Sequence, residues 1–399
     1  MANFRVWISE QNVTMNLRGN DSSDHIVIAL YSLAEGLAHD WWSLFGNREG
    51  EISLIRHRSG YAVPDIRFRF DGMAFEAVAN QRVYQNPPLR FWAGSPEVST
   101  RQEAELVLSA FVELVLGQLQ QKSPDTSAAL RWSRVKRSRL DPQESLFCEC
   151  AGALGLDPYA IDENNASTIE DAVSLFEGES LAEFLSGIRG YPSAPPLNWV
   201  RDAERRPGYK SRLPELMSVV QKAVKLSPER EGDRSWALGY RRAQAMRKVI
   251  NLHQKDRIRS YKGGAKIFGA SAGFESAGDV HGIRALRSNV EGGYVSIHVR
   301  NHGRSAQGHI AQLFSFARAI GDAACFPSPS RSPVNELHSA YRQAAGRAFA
   351  AEFLAPVDEI ESMRADGYDP VAIANELSVS TTTIERQIEN GGRIRSASV

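Results

Sequence analysis

The stretch 314-FSFARAIGDAACF-326 decides how the last third of this chain is read. With Leu313 ahead of it, Phe316, Ala317 and Ile320 recur at helical spacing, which predicts a helix over 312–325. Arg318 and Asp322 fall one turn apart on it. Such a pair is worth only ~0.3–0.5 kcal/mol on an exposed face, yet it could fill an interior site. A second helix is expected over 339–354, where Ala345, Ala348, Phe349 and Leu354 repeat, and its alanines predict close approach to the first. Upstream, 292-GGYVSIHVR-300 reads as a strand.

Outward from that region, the 399 residues are enough for two or three domains, and 42% hydrophobic with 24% charged residues is ordinary globular composition. The fold class expected is α+β. An α+β N-terminal domain takes 1–122, with a helix over 24–45, strands in EISLIRHR, DIRFRFDG and MAFEAVANQRVY, a tight turn at Asp71-Gly72, and a helix from about 101 capped by Ser99 or Thr100. An acidic helical section takes 128–190, a C-terminal domain 198–365, and a helix-turn-helix-like appendix 366–399. The Pro-rich RGYPSAPPLNW (189–199) and PSPSRSPVNE (327–336) read as linker and loop.

The formal net charge is +0, but the charges are segregated. Residues 131–139 carry five basic side chains and no acid, 140–188 eleven acids and no Lys or Arg, and 240–266 nine Lys or Arg against Asp256 alone. Arg241, Arg242, Arg247 and Lys248 in the last of these are candidates for contact with nucleic acid or a protein partner. Three cysteines, Cys148, Cys150 and Cys325, cannot form a complete disulfide framework, which points to buried thiols in a reducing, cytoplasmic setting. The start MANFRVWISEQNV has no basic segment followed by an apolar core, and no apolar run reaches the roughly 18 residues a bilayer span needs. No signal peptide and no membrane partner are therefore expected.

In the order strand, helix, loop, helix, with the run 349-FAAEFLAP-356 and a helical tail after Val379-Ser380, the chain over roughly 232–390 resembles the ImmA/IrrE-type metallopeptidases of bacteria. The resemblance implies a zincin frame, in which one helix carries His-Glu-x-x-His and a second supplies the third zinc ligand. Carried over by position, the two histidines become Arg318 and Asp322 and the general-base glutamate becomes Ala319. The third-ligand region reads Gln343, Ala344, Ala345. Zinc hydrolysis needs three protein ligands and an open position for water. A guanidinium offers a metal no lone pair, and alanine takes no proton. The expectation is a zincin-like scaffold without catalysis, metal or cofactor. It would bind a protein partner in a regulatory, toxin–antitoxin or phage-defence system.

Other readings compete with this one. In DPVAIANELSVSTTTIERQIEN (369–390), Ile373, Ala374, Leu377, Val379 and Ile384 supply a helix-turn-helix core and Ser380 a cap. Thr381, Thr382, Thr383 and Arg386 are left as candidate base-reading residues, and a DNA-binding regulator is the first alternative. Asp65 and Glu76 have tolerable spacing for a Mg²⁺ nuclease, although Val78 stands where its lysine would be. A hydrolase with an unrecognised active site in the N-terminal domain is the second alternative. His298, His302 and His309 lie on a strand and a Gly-broken loop, so their spacing is not that of a metal helix, and His281 adds nothing to it.

Overall fold

A computed structural model describes residues 1–18, 20–81, 89–120, 125–205, 211–230, 232–253, 256–270, 278, 280–290, 293–303 and 305–397. The chain is α+β and divides into two compact units, Met1–Ile169 and Glu170–Val399. The expected end of one N-terminal strand (82–84), residues 121–124 at the boundary expected after the N-terminal domain, and Lys255 of the basic stretch 240–266 lie outside the described residues. Among the described residues no helix is long and apolar enough to cross a membrane.

The first unit opens with six short strands: β1 (Ala2–Phe4), β2 (Trp7–Ile8), β3 (Gln11–Asn12), β4 (Asn16–Arg18), β5 (Asp21–Ser23) and β6 (Ile26–Ile28). Helix α1 (Tyr31–Gly46) follows, so the helix expected from residue 24 begins as a strand instead. Strand β7 (Ile52–Ser53) gives way to a 3-10 turn, and β8 (Asp65–Phe70) pairs with β9 (Phe75–Asn80) in a hairpin. The turn expected at Asp71-Gly72 is there. Asp71 Oδ1 accepts the Met73 and Ala74 amides at 2.9 and 2.8 Å, and Gly72 takes φ 98°. After β10 (Arg90–Phe91) and β11 (Glu97–Ser99), α2 (Arg101–Gln120) starts on a reciprocal cap. Glu103 N–H donates to Thr100 Oγ1 at 3.2 Å, and Thr100 N–H donates to Glu103 Oε2 at 2.9 Å.

Helices α3 (Ser127–Ser138) and α4 (Pro142–Leu154) belong to this first unit, where Trp132 packs edge-on against Trp41 of α1 at 4.9 Å. The acidic section is therefore not a domain of its own. Its first acids neutralise first-unit arginines, with Arg101–Glu149 at 2.5 Å and Arg131–Asp157 at 2.6 Å. Cys148 and Cys150 are buried free thiols, pushed by burial up to about 11 and about 12.

Helix α5 (Glu163–Leu175) spans the division and α6 (Gly178–Ile188) belongs to the second unit. The stretch read as a linker becomes α7 (Ala194–Arg205), its prolines sitting in the first turn where no amide hydrogen is needed. Then come β12 (Ser211–Leu213), α8 (Leu216–Leu226), α9 (Ser235–Val249), α10 (Tyr261–Lys266), β13 (Ile283–Val290) and β14 (Tyr294–Val299). The helix of the opening stretch, α11, runs Ala306–Cys325. It starts a turn and a half before the expected 312, because Ser305 Oγ caps it by accepting the Gly308 amide at 3.1 Å. The Pro/Ser-rich segment read as a loop contains β15 (Arg331–Asn335), an edge strand, where Pro333 is tolerated. Helices α12 (Tyr341–Leu354), α13 (Val357–Ala365), α14 (Pro370–Leu377) and α15 (Thr381–Ala397) complete the chain.

The second unit is built on an antiparallel sheet of order β12-β14-β13-β15. Its core joins Val295 and Ile297 of β14, Phe316 and Ile320 of α11, and Phe349 and Phe353 of α12. The close approach expected from the alanines is real. Phe349 is fully buried, a Cβ on Gly321 of α11 would meet its ring at 2.7 Å, and one on Gly239 of α9 would strike the Ala345 carbonyl. The C-terminal helices are part of the same core, since Ile373, Ala374, Leu377, Val379 and Ile384 are buried in it.

Phe349→Ala empties this junction of three helices and is expected to cost about 3–5 kcal/mol, whereas Thr382→Ala, at an exposed position, should stay within about 0.5 kcal/mol. Thermal melts of the two variants check this. A Phe349→Ala melt equal to the parent's contradicts the packing.

Candidate functional site

Two of the functional readings, the altered peptidase helix and the helix-turn-helix face, meet in the second unit. Asp322, on the last turn of α11, is buried, and burial alone would push its carboxyl up. Arg342 and Arg287 outweigh that and hold it below the ordinary carboxylate range. Arg287 Nε, from β13, donates to Oδ2 at 2.7 Å, and Arg342 Nη2, from α12, donates to Oδ1 at 2.7 Å. The remaining guanidinium hydrogens of Arg287 go to Asn289 Oδ1 and to the Pro329 and Phe326 carbonyls. Arg342 also reaches Ser180 of α6 at 2.8 Å and Ser332 of β15 at 2.6 Å. One carboxylate thereby ties helix to sheet and helix to helix.

Arg318, one turn earlier, does not pair with Asp322, which is already taken on both oxygens. Its Nη2 donates to the Asn335 carbonyl at 2.7 Å and to Gln343 Oε1 at 2.9 Å. Gln343 in turn donates to Glu183 Oε2 and the Pro333 carbonyl, both at 2.8 Å. Arg318 is 7% exposed and its Nε is buried without an acceptor. Burial pushes its pKa down to about 9, helped by the neighbouring charges of Arg347 and Arg284. Glu183 is pushed up to about 7 by burial, with the Arg342 charge and the Gln343 bond opposing.

Arg318 also lines a cleft of about 820 Å³. One wall is a stripe of α11, Gln307, Ile310, Ala311, Phe314, Ser315 and Arg318, spaced as one helix face. Facing it are Ser380, Thr381, Thr382, Thr383 and Arg386 at the start of α15, with Trp236 of α9 and Arg347 of α12 between. The sequence-derived candidates Arg318, Thr381, Thr382, Thr383 and Arg386 thus share one concavity. Thr382 and Arg386 are exposed, but Thr381 and Thr383 are half-buried in the cleft wall rather than outward as expected. The α15 helix is fixed from beneath. Gln387 donates to the Ala355 carbonyl at 3.0 Å and to Glu352 at 3.3 Å, and accepts from the Tyr240 hydroxyl. Ser380 caps it as expected, accepting the Thr383 amide at 3.2 Å.

The other candidates do not assemble. Of the basic stretch, Arg242 and Arg247 are buried, and Arg247 donates to the Phe353 and His253 carbonyls at 2.6 and 2.9 Å. Arg241 is paired with Asp233, and Lys248 alone of the four is exposed. Helix α9 buries the side carrying two of these arginines, so they form no common basic face. Asp65 lies opposite Asn80 and Glu76 opposite Arg69, four residues along the hairpin. That is roughly 13 Å at ~3.3 Å per residue, too far to share a metal. Each acid is instead paired with an arginine of β8. His298 is buried in β14, His302 lies beside Arg284, and His309 is exposed on α11.

Zinc does not fit the positions at which the peptidase pattern requires it. Arg318 cannot ligate, Ala319 has no donor, and Asp322 and Gln343 are engaged by arginines. Among the described residues, no three His, Cys, Asp or Glu side chains are grouped so as to hold a metal ion. Sequence reasoning missed Arg287, Arg342 and Glu183. The one available signal was alternation: in IRALRSNV, Arg287 falls on the same strand face as Ile283 and Ala285. No protein-family model matches this chain, and neither does any curated protein or solved structure.

Asp322→Ala leaves two buried guanidinium groups without their carboxylate and should destabilise the protein by about 3–5 kcal/mol, measured by urea unfolding. Lys248→Ala, at an exposed position outside the cleft, is the control. A second expectation concerns pH. Glu183 and Glu352 are each raised by burial from 4.5 to about 7, so the folded chain holds protons that the unfolded chain has released. Stability is then greatest below 4.5 and declines as pH rises to about 7, whereas the lowered Asp322 matters only below 3.8. Melting temperatures at pH 5 and 7.5 should fall more steeply for the parent than for Glu183→Gln/Glu352→Gln. Parallel slopes contradict the assignment.

Proposed function

We propose that this chain is a non-catalytic binding protein whose second unit is a zincin-like frame of the ImmA/IrrE type with its peptidase site replaced. The observation that carries the reading is the fate of the helix at 318–322. Where the peptidase pattern has two histidines, Arg318 and Asp322 are buried and hydrogen-bonded into a fixed arginine network. Such a network rigidifies its elements and leaves no open coordination position for water. The cleft alongside it offers concave, partly apolar walls with a few polar groups, the usual make-up of a binding site. By the same resemblance, the setting proposed is a bacterial regulatory, toxin–antitoxin or phage-defence system acting through a protein partner.

The regulator reading keeps one observation in its favour, the α14–turn–α15 arrangement with exposed Thr382 and Arg386. It loses the basic stretch, whose arginines are buried or paired. Phosphate neutralisation, the main source of duplex affinity, would fall to scattered residues.

Purified protein is expected to contain far less than one zinc per chain by metal analysis and to cleave no peptide. Affinity capture of the intact protein from its native cells should retain a specific protein after nuclease treatment. One tightly held zinc per chain refutes the reading. Loss of every captured species on nuclease treatment transfers the function to nucleic acid.

A further inference from the structure

The geometry points to a ligand: we propose that the cleft of the second unit binds a small phosphomonoester that also bears an aromatic ring. The phosphate would lie between the Arg318 guanidinium and the N-terminus of α15, and the ring against Trp236 and Phe314. This deepens the reading of the chain as a binding protein and rests on it.

The first support is charge. Arg284, Arg318, Arg347 and Arg386 line the cleft against one carboxylate, Glu336, which is already paired with Arg284. Arg318 is the informative member. It is more than nine-tenths buried, makes no ion pair among the described residues, uses Nη2 for two neutral acceptors and leaves Nε without any. A buried cation with no direct ion pair is costly; Glu336 and Glu183 act on its charge only from a distance, and the interior carboxylate one turn away is committed to Arg287 and Arg342. An anion in the cleft supplies what the fold withholds. At neutral pH Arg318 remains cationic, its pKa of about 9 being well above that range.

The second support is the opposite wall. Ser380 Oγ accepts the Thr383 amide, and the Thr381 and Thr382 amides, as first-turn groups, have no acceptor within their helix. A helix of 17 residues presents partial positive charge there, and the adjoining threonine hydroxyls add donors. Amides, hydroxyls and a guanidinium converging on one space suit a tetrahedral dianion better than a single carboxylate.

The third support is the remaining lining. Ile310, Ala311 and Phe314 of α11, Ala348 and Ala351 of α12, and Trp236 of α9 give the ligand's other end an apolar bed. The volume of about 820 Å³ lies within the ~300–1,000 Å³ of small-molecule sites. A duplex, by contrast, is read by a projecting helix whose outward side chains reach base edges, whereas Thr381 and Thr383 at the start of α15 are half-buried in the cleft wall.

The test titrates the full-length protein at low salt with phenyl phosphate and adenosine 5′-monophosphate, and with the uncharged phenol and adenosine. Heat and tryptophan fluorescence are followed, with Trp236→Phe identifying the reporting ring. Both phosphates should bind and neither uncharged partner should. Arg318→Gln should weaken binding at least tenfold. Thr382→Glu sets a negative charge at the helix start from an exposed position, so it should weaken binding similarly while melting like the parent. Lys248→Glu should change nothing. The proposal is overturned by absence of binding at millimolar phosphate ester, by equal binding of the uncharged compounds, or by affinity that survives both cleft variants. It is equally overturned if a 20-base-pair duplex binds and the small phosphates do not. Zinc content separates this outcome from the reading beneath it. A zinc-bearing chain that binds phenyl phosphate refutes only the non-catalytic reading, and a zinc-free chain that binds none refutes only the site.

Discussion

Asp322 is the constraint around which the second unit is organised. Its two oxygens are claimed by arginines from a strand and a helix, and those arginines reach on to α6, β15 and the loop after α11. In a low-dielectric interior such a cluster contributes little net stability, because desolvation of the ions offsets most of their attraction. What it contributes is uniqueness. A shift of α11 by one residue would strand two guanidinium groups and a carboxylate at once, so alternative registers of helix on sheet are disfavoured.

The same commitment explains Arg318. With Asp322 saturated, Arg318 donates to a carbonyl and an amide oxygen instead, and Glu183 is reached only through Gln343. The apolar core beneath Arg318, anchored by Phe349 between α9, α11 and α12, holds it in place. A buried cation with no direct ion pair at the edge of a cleft is therefore a product of how the network beside it is satisfied, not an isolated feature of one residue.

Much of the frame was legible. Helical periodicity located α11 and α12, the alanines announced their close contact, Ser380 and Asp71 were read correctly as cap and turn, and of the two caps offered for α2, Ser99 and Thr100, the structure selects Thr100. The failures have local causes. Pro333 disguised an edge strand, Pro195 and Pro196 disguised a helix start, and β-branched residues ahead of α1 formed a strand before the helix began. The acidic section looked like a unit because its charges are uniform, but its helices bury apolar faces on different neighbours and fall on both sides of the division.

By itself, the sequence determined the α+β class, the helix pair at the C-terminal end, and the absence of the peptidase histidines and glutamate at positions 318, 319 and 322. These depend on residue identity and on spacing along one element. Only the tertiary structure decided that Arg318 and Asp322 stay apart, that the basic stretch turns its arginines inward, and that Thr381–Thr383 share a cleft with Arg318. Each of these turns on which side chain reaches an acceptor first across tens of residues of chain, and spacing along one helix carries no information about partners that arrive from another.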